Sequence, residues 1–164
     1  MAEAARALGT RDEAAFDVAI EHFEQSIQLL PDQWNSYLEI GDLHKERGDF
    51  ARMHESALAL HASVEAALDR PDVETALKAT GCEVSAAAIY FVPVDGTKEL
   101  ALNWIRRSIE LWPTANRHFK EALAWMSQAI TNETTTAAAK QGFTAALALD
   151  PNHQGARQKL AMFD

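Results

Sequence analysis

The side chains that could do chemistry are few in this chain and do not form a catalytic motif. Of its six histidines, His54 and His61 lie two helical turns apart with Glu55 beside them, a spacing that offers at most a poor metal site. Cys82 is the only cysteine, and no neighbouring cation would activate its thiol. Phosphate-loop, Gly-x-Ser-x-Gly and His-Glu-x-x-His motifs are absent. We therefore predict that the chain is not an enzyme and uses no metal or cofactor.

The charge distribution narrows the range of partners. The net charge is −9, and it comes from residues 1–80, where sixteen acidic residues oppose seven basic ones; residues 81–164 carry eight of each. The chain has no stripe of Lys and Arg that could displace the counterions of a nucleic acid or hold it on an anionic membrane. No stretch approaches the roughly 20 apolar residues that span a bilayer, and no signal peptide opens the chain. We expect a cytoplasmic protein that binds neither nucleic acid nor membrane.

A sequence motif that ends in proline occurs three times and predicts three of the helices. It places small or apolar residues at i, i+4, i+7, i+8 and i+10, and its copies run over 19–31, 101–113 and 139–151. This spacing buries one face of a helix, and the proline ends the helix because it has no N–H. The composition, 48% hydrophobic with seven Gly and five Pro, is typical of an ordered helical chain. A motif repeated in this way predicts an all-α array of helical repeats.

The second repeat carries residues that identify a family. Ile40-Gly41 and Gly48-Asp49-Phe50 stand where tetratricopeptide repeat (TPR) proteins have Leu-Gly and Gly-Asp-Tyr, so the chain resembles that family. His44 departs from it by replacing a tyrosine. The resemblance implies an all-α, right-handed solenoid of helical hairpins, with about four repeats and a C-terminal helix.

The repeat pattern divides the chain, as a single domain, into units at about 1–31, 34–67, 82–113 and 116–151, with a terminal helix at 154–162. Residues 70–81 do not fit this frame, and we expect an insertion there with a short helix, Val73–Ala79, that Gly81 ends. The segment Ile89–Val94 is β-prone by composition, but the frame favours a helix from about Glu83 to about Val92. Helix ends are predicted at Leu30, Trp112 and Asp150, and buried side chains at Phe23, Ile40, Ile105 and Phe143.

In this family the first helix of each hairpin lines an inner groove that holds a peptide or a partner helix. Carried over position by position, the resemblance implies a groove formed by Asn35, Leu38, Glu39, Asp42, Lys45 and Glu46 of the second unit, Glu83 and Tyr90 of the third, and Arg117 and Lys120 of the fourth. Glu39, Asp42 and Glu46 share one helix face, which favours a partner carrying Lys or Arg, with Leu38 and Tyr90 as apolar contacts.

Two classes of function fit these residues. The first is an adaptor, similar to a co-chaperone, that binds a peptide or helix of another protein, with self-association through the terminal repeats as a further option. The second is an N-terminal accessory domain of a larger bacterial enzyme such as a glycosyltransferase or sulfotransferase. The apparent half-repeat after Pro151 favours the second class.

Overall fold

The structure is a computed structural model that describes residues 13–90, 97–128 and 133–163, and within these ranges it contains helices and no β-strand. The helices are α1 Glu13–Leu29, α2 Asn35–Glu46, α3 Phe50–Leu68, α4 Thr75–Tyr90, α5 Thr97–Leu111, α6 Ala115–Gln128, α7 Glu133–Leu149 and α8 Gln154–Leu160, followed by a 3₁₀ turn, Ala161–Phe163. The prediction of an all-α fold is therefore confirmed. The first twelve residues of the unit predicted at about 1–31 lie outside the described residues.

The helices that precede a proline end where the repeated motif predicts. α1, α5 and α7 end at Leu29, Leu111 and Leu149, each one residue before the predicted end. In all three, the next residue closes the last turn through a backbone N–H···O=C bond of 2.9–3.0 Å to the fourth residue before it. The proline that follows cannot extend this ladder, because it has no N–H to donate.

Helix α4 corrects the sequence interpretation around Gly81. It runs without a break over Thr75–Tyr90, so the short helix predicted at Val73–Ala79 and the helix predicted from Glu83 are one helix. Gly81 is buried within it and does not end it. A helical glycine costs roughly 1 kcal/mol relative to alanine, and the packing of α4 along α5 outweighs this cost. Of the β-prone segment, Ile89 and Tyr90 are helical, and residues 91–94 lie outside the described residues.

The described residues form two compact units, the first at 13–73 and the second at 74–90 with 97–163. The prediction of one domain and its repeat boundaries stays a prediction.

In the first unit, α1 packs on α2, and α2 forms a hairpin with α3. Phe16 and Leu43 are buried together. Phe23, predicted to be buried between helices, packs against them and is only partly buried. Gly48 makes the hairpin turn with a φ of +74°, a left-handed conformation that glycine adopts without strain. Asp49 then caps α3 by accepting a hydrogen bond from the Arg52 N–H.

The second unit contains two hairpins, α4–α5 and α6–α7, with α8 packed on α7. Ile105 and Phe143 are buried as predicted, and Phe143 lies at the centre of a cluster of alanines. Its ring centroid lies 5.7 Å from that of Phe119 and 6.2 Å from that of Phe163. Small residues let α6 and α7 approach closely: a Cβ atom at Gly142 would lie only 2.9 Å from the Ala122 Cβ atom. The apolar core of this unit therefore depends on a few aromatic rings surrounded by small side chains.

Candidate protein-interaction surfaces

Helix α2 presents six of the ten predicted groove residues. Five are exposed, namely Asn35, Glu39, Asp42, Lys45 and Glu46, and Leu38 is half-buried. Because a helix turns by 100° per residue, residues 39, 42 and 46 lie on one side of α2, which we call its outer face. Leu43, His44 and Ile40 are buried on the side that packs against α1 and α3. The three carboxylates of the outer face are thus open to a partner.

Of the predicted residues on α4 and α6, Glu83, Arg117 and Lys120 interact with one another, whereas Tyr90 at the end of α4 is half-buried and is not part of this network. The Arg117 guanidinium donates to one carboxylate oxygen of Glu83 at 3.1 Å, and the Lys120 ammonium pairs with the other oxygen. Arg117 also donates to the Trp112 carbonyl at 2.7 Å and to the Thr80 hydroxyl at 3.3 Å. The Arg117 side chain is only 8% exposed. This network ties the first helices of two successive hairpins together, and it already engages the Arg117 charge inside the protein.

A second surface, which the sequence interpretation did not identify, lies in the first unit between α1 and α3. It is a cleft of about 710 Å³ with α2 as its floor. One wall is formed by α1, through Asp17, Ile20, Glu24, Ile27 and Gln28. The floor is formed by α2, through Tyr37, Ile40 and His44. The other wall is formed by α3, through Arg52, Glu55, Ser56 and Ala59. Each set repeats at three- and four-residue intervals, the spacing of one helix face. That spacing was visible in the sequence, but the separation of the two walls was not.

His44 makes the floor of the cleft unusual. The residue is 6% exposed, and its Nδ1 atom is buried with no hydrogen-bond partner. Burial lowers the pKa of His44 from its ordinary value of 6.5, and the nearby carboxylates of Asp49 and Glu24 only partly oppose this effect. The imidazole is therefore neutral at neutral pH, and it contributes no positive charge to the floor.

The charged groups around the cleft differ in how they are paired. Asp17 accepts a 2.7 Å hydrogen bond from Arg47, and Arg52 lies 3.5 Å from the Asp49 carboxylate. Glu24 on α1 and Glu55 on α3 are exposed, and neither pairs with a cation among the described residues. The two unpaired carboxylates therefore stand on opposite walls of the same cleft.

No other chemistry is evident in the described part of the chain. Within it, no group of three or more His, Cys, Asp and Glu side chains could hold a metal ion. None of its helices is long and apolar enough to cross a membrane. The predictions that the chain lacks enzymatic activity and is cytoplasmic stay predictions.

The comparisons with known proteins agree with the fold. The chain is similar to a solved structure titled "Crystal structure of MamA", with 17% identity, a TM-score of 0.61, and coverage of 94% of this chain and 80% of that one. A second, titled "Crystal structure of MamA protein", shows 19% identity, a TM-score of 0.60, and coverage of 94% and 74%. No protein-family model and no curated protein matches the chain. At this level of identity the likeness shows the fold alone: an all-α fold of helical hairpins.

Proposed function

We propose that this protein is an interaction module that binds a peptide or helix of another protein along the outer face of α2. The observation that carries the proposal is the set of three exposed carboxylates, Glu39, Asp42 and Glu46, on one side of that helix. Leu38 beside them is half-buried and offers an apolar contact. The helical-hairpin fold supports this reading, because arrays of this kind expose extended binding surfaces.

The chemistry of this face selects the kind of partner. Three like charges within two turns of helix attract a segment carrying Lys or Arg and repel an acidic one. Exposed charges act mainly on the association rate, and salt weakens them as the Debye length falls from about 10 Å at 0.1 M to about 3 Å at 1 M. The expected partner is therefore a basic segment that associates more slowly at high salt. The alternative of an accessory domain in a larger enzyme gains no support from the comparisons.

A displayed library of random peptides, selected on the full chain, tests this function. We expect the selected peptides to carry Lys or Arg around an apolar residue. The triple variant Glu39→Gln, Asp42→Asn, Glu46→Gln should slow their association and flatten its salt dependence. A matched control that removes three exposed charges elsewhere, Glu21→Gln, Glu99→Gln, Glu110→Gln, should have a smaller effect. Selected peptides without basic residues, or an unchanged association rate in the first variant, would contradict the proposal.

A further inference from the structure

The cleft between α1 and α3 lies on the opposite side of α2 from its outer face. Ile40 and Asp42 are separated by two residues, or about 200° around the helix axis. His44 and Glu46 are separated in the same way. A molecule in the cleft and a partner on the outer face would therefore contact different sides of α2.

The dimensions of the cleft suit a helix. The α1 wall extends from Asp17 to Gln28, which at 1.5 Å per residue is about 16 Å, or three turns. Apolar side chains of Ile20, Ile27 and Ile40 lie along its length, and Tyr37 adds an aromatic ring. An amphipathic helix binds in such a trough by inserting residues spaced at i, i+3 or i+4, and i+7.

The charges around the cleft indicate what should flank that apolar stripe. Glu24 and Glu55 face the cleft from opposite walls, and no described cation neutralises them. Between them the floor contains the neutral, buried imidazole of His44, whose Nδ1 atom has no partner. The lining is mixed, with the isoleucines among polar side chains. Asp17 is paired with Arg47 and Arg52 with Asp49, so the unpaired charges of the cleft are the two carboxylates, one on each wall.

We propose that this cleft is a second docking site, which takes an amphipathic helix of another protein with Lys or Arg on both borders of its apolar stripe. The apolar stripe packs on Ile20, Ile27 and Ile40, and the two basic borders meet Glu24 and Glu55. The site is distinct from the outer face of α2, so it does not depend on the function proposed above.

Two synthetic peptides test the proposal. Both form an amphipathic helix with the same leucine stripe; one has Lys on each border of the stripe and the other has Glu. Binding to the full, ¹⁵N-labelled chain is followed by fluorescence anisotropy and by amide chemical shifts. We expect the Lys peptide to bind more tightly than the Glu peptide, with shifts concentrated at residues 20–28 of α1 and 52–59 of α3. On α2 we expect them at residues 37, 40 and 44 rather than at residues 39, 42 and 46.

A charge-reversal variant then checks the role of the two walls. Glu24→Lys with Glu55→Lys should weaken binding of the Lys peptide by about tenfold and strengthen binding of the Glu peptide, since both substituted carboxylates are exposed and unpaired. The control Glu99→Lys with Glu110→Lys makes the same change in net charge at two exposed carboxylates of the second unit that do not line the cleft, and it should preserve the preference for Lys. Equal binding of the Lys peptide to both double variants would overturn the proposal. Shifts confined to the outer face of α2 would also overturn it, while supporting the function proposed above.

Discussion

Two glycines at helix crossings should respond to the same substitution in opposite directions. A Cβ atom added at Gly142 of α7 would lie 2.9 Å from the Ala122 Cβ atom and 3.2 Å from the His118 carbonyl oxygen. Both contacts are closer than normal van der Waals separation, and neither belongs to the end of a flexible side chain. Gly142→Ala therefore requires α6 and α7 to move apart, and overpacking of this kind costs about 1–3 kcal/mol.

Gly41 in α2 provides the matched comparison. A Cβ atom there would meet the Ser56 Cβ atom at 3.8 Å and the Met53 carbonyl oxygen at 3.9 Å, which are ordinary contacts. Gly41→Ala should therefore add helix propensity without strain and raise the free energy of unfolding by about 0.5–1 kcal/mol. The same gain at Gly142 only partly offsets the overpacking, so we expect a net loss of about 1 kcal/mol there.

Thermal unfolding followed by far-ultraviolet circular dichroism measures both effects. For a chain of this length, 1 kcal/mol corresponds to a change in Tm of roughly 2–4 °C. Urea unfolding of the same variants gives the free energies directly. The reasoning about interhelical distances would be refuted if Gly142→Ala were as stable as the unsubstituted protein. A loss of stability in Gly41→Ala would refute the prediction that alanine stabilises α2 at that position.

Three further results are expected. Phe143→Ala should lower the free energy of unfolding by about 3–5 kcal/mol because the ring is fully buried. Phe50→Ala, at a half-exposed ring, should lower it by less than about 1 kcal/mol. Similar losses of free energy for the two variants in urea unfolding would contradict the described packing. Arg117→Ala should cost about 1–3 kcal/mol in the same assay, since it leaves the largely buried Glu83 with one cation fewer, and a loss below about 0.5 kcal/mol would show that the network adds little. The lowered pKa of His44 means that its contribution to stability is complete above pH 6.5 and is lost as the pH falls below that value, because the unfolded chain takes up the proton first. Urea unfolding across this range should show a free energy of unfolding that falls with pH, and His44→Gln should reduce that dependence. An equal pH dependence in the variant would refute the assignment of this effect to His44.

Local sequence signals predicted the helices well where they were strong. The ends of α1, α5 and α7 followed from proline, because its missing N–H acts within a few residues of the chain. The same reasoning failed at Gly81. There, a weak local preference against helix was outweighed by the contacts of α4 with α5, which no local signal contains.

The sequence of this protein determined its all-α class, the ends of the helices that precede a proline and the acidic outer face of α2, since periodicity and composition depend only on the order of residues. Only the tertiary structure decided which of those residues meet. Arg117 reaches Glu83 across 34 positions of sequence, and Glu24 and Glu55 face one cleft because α1 and α3 pack on the same side of α2. Such pairings depend on how helices pack against each other, and a one-dimensional pattern does not specify the distance between two helix faces.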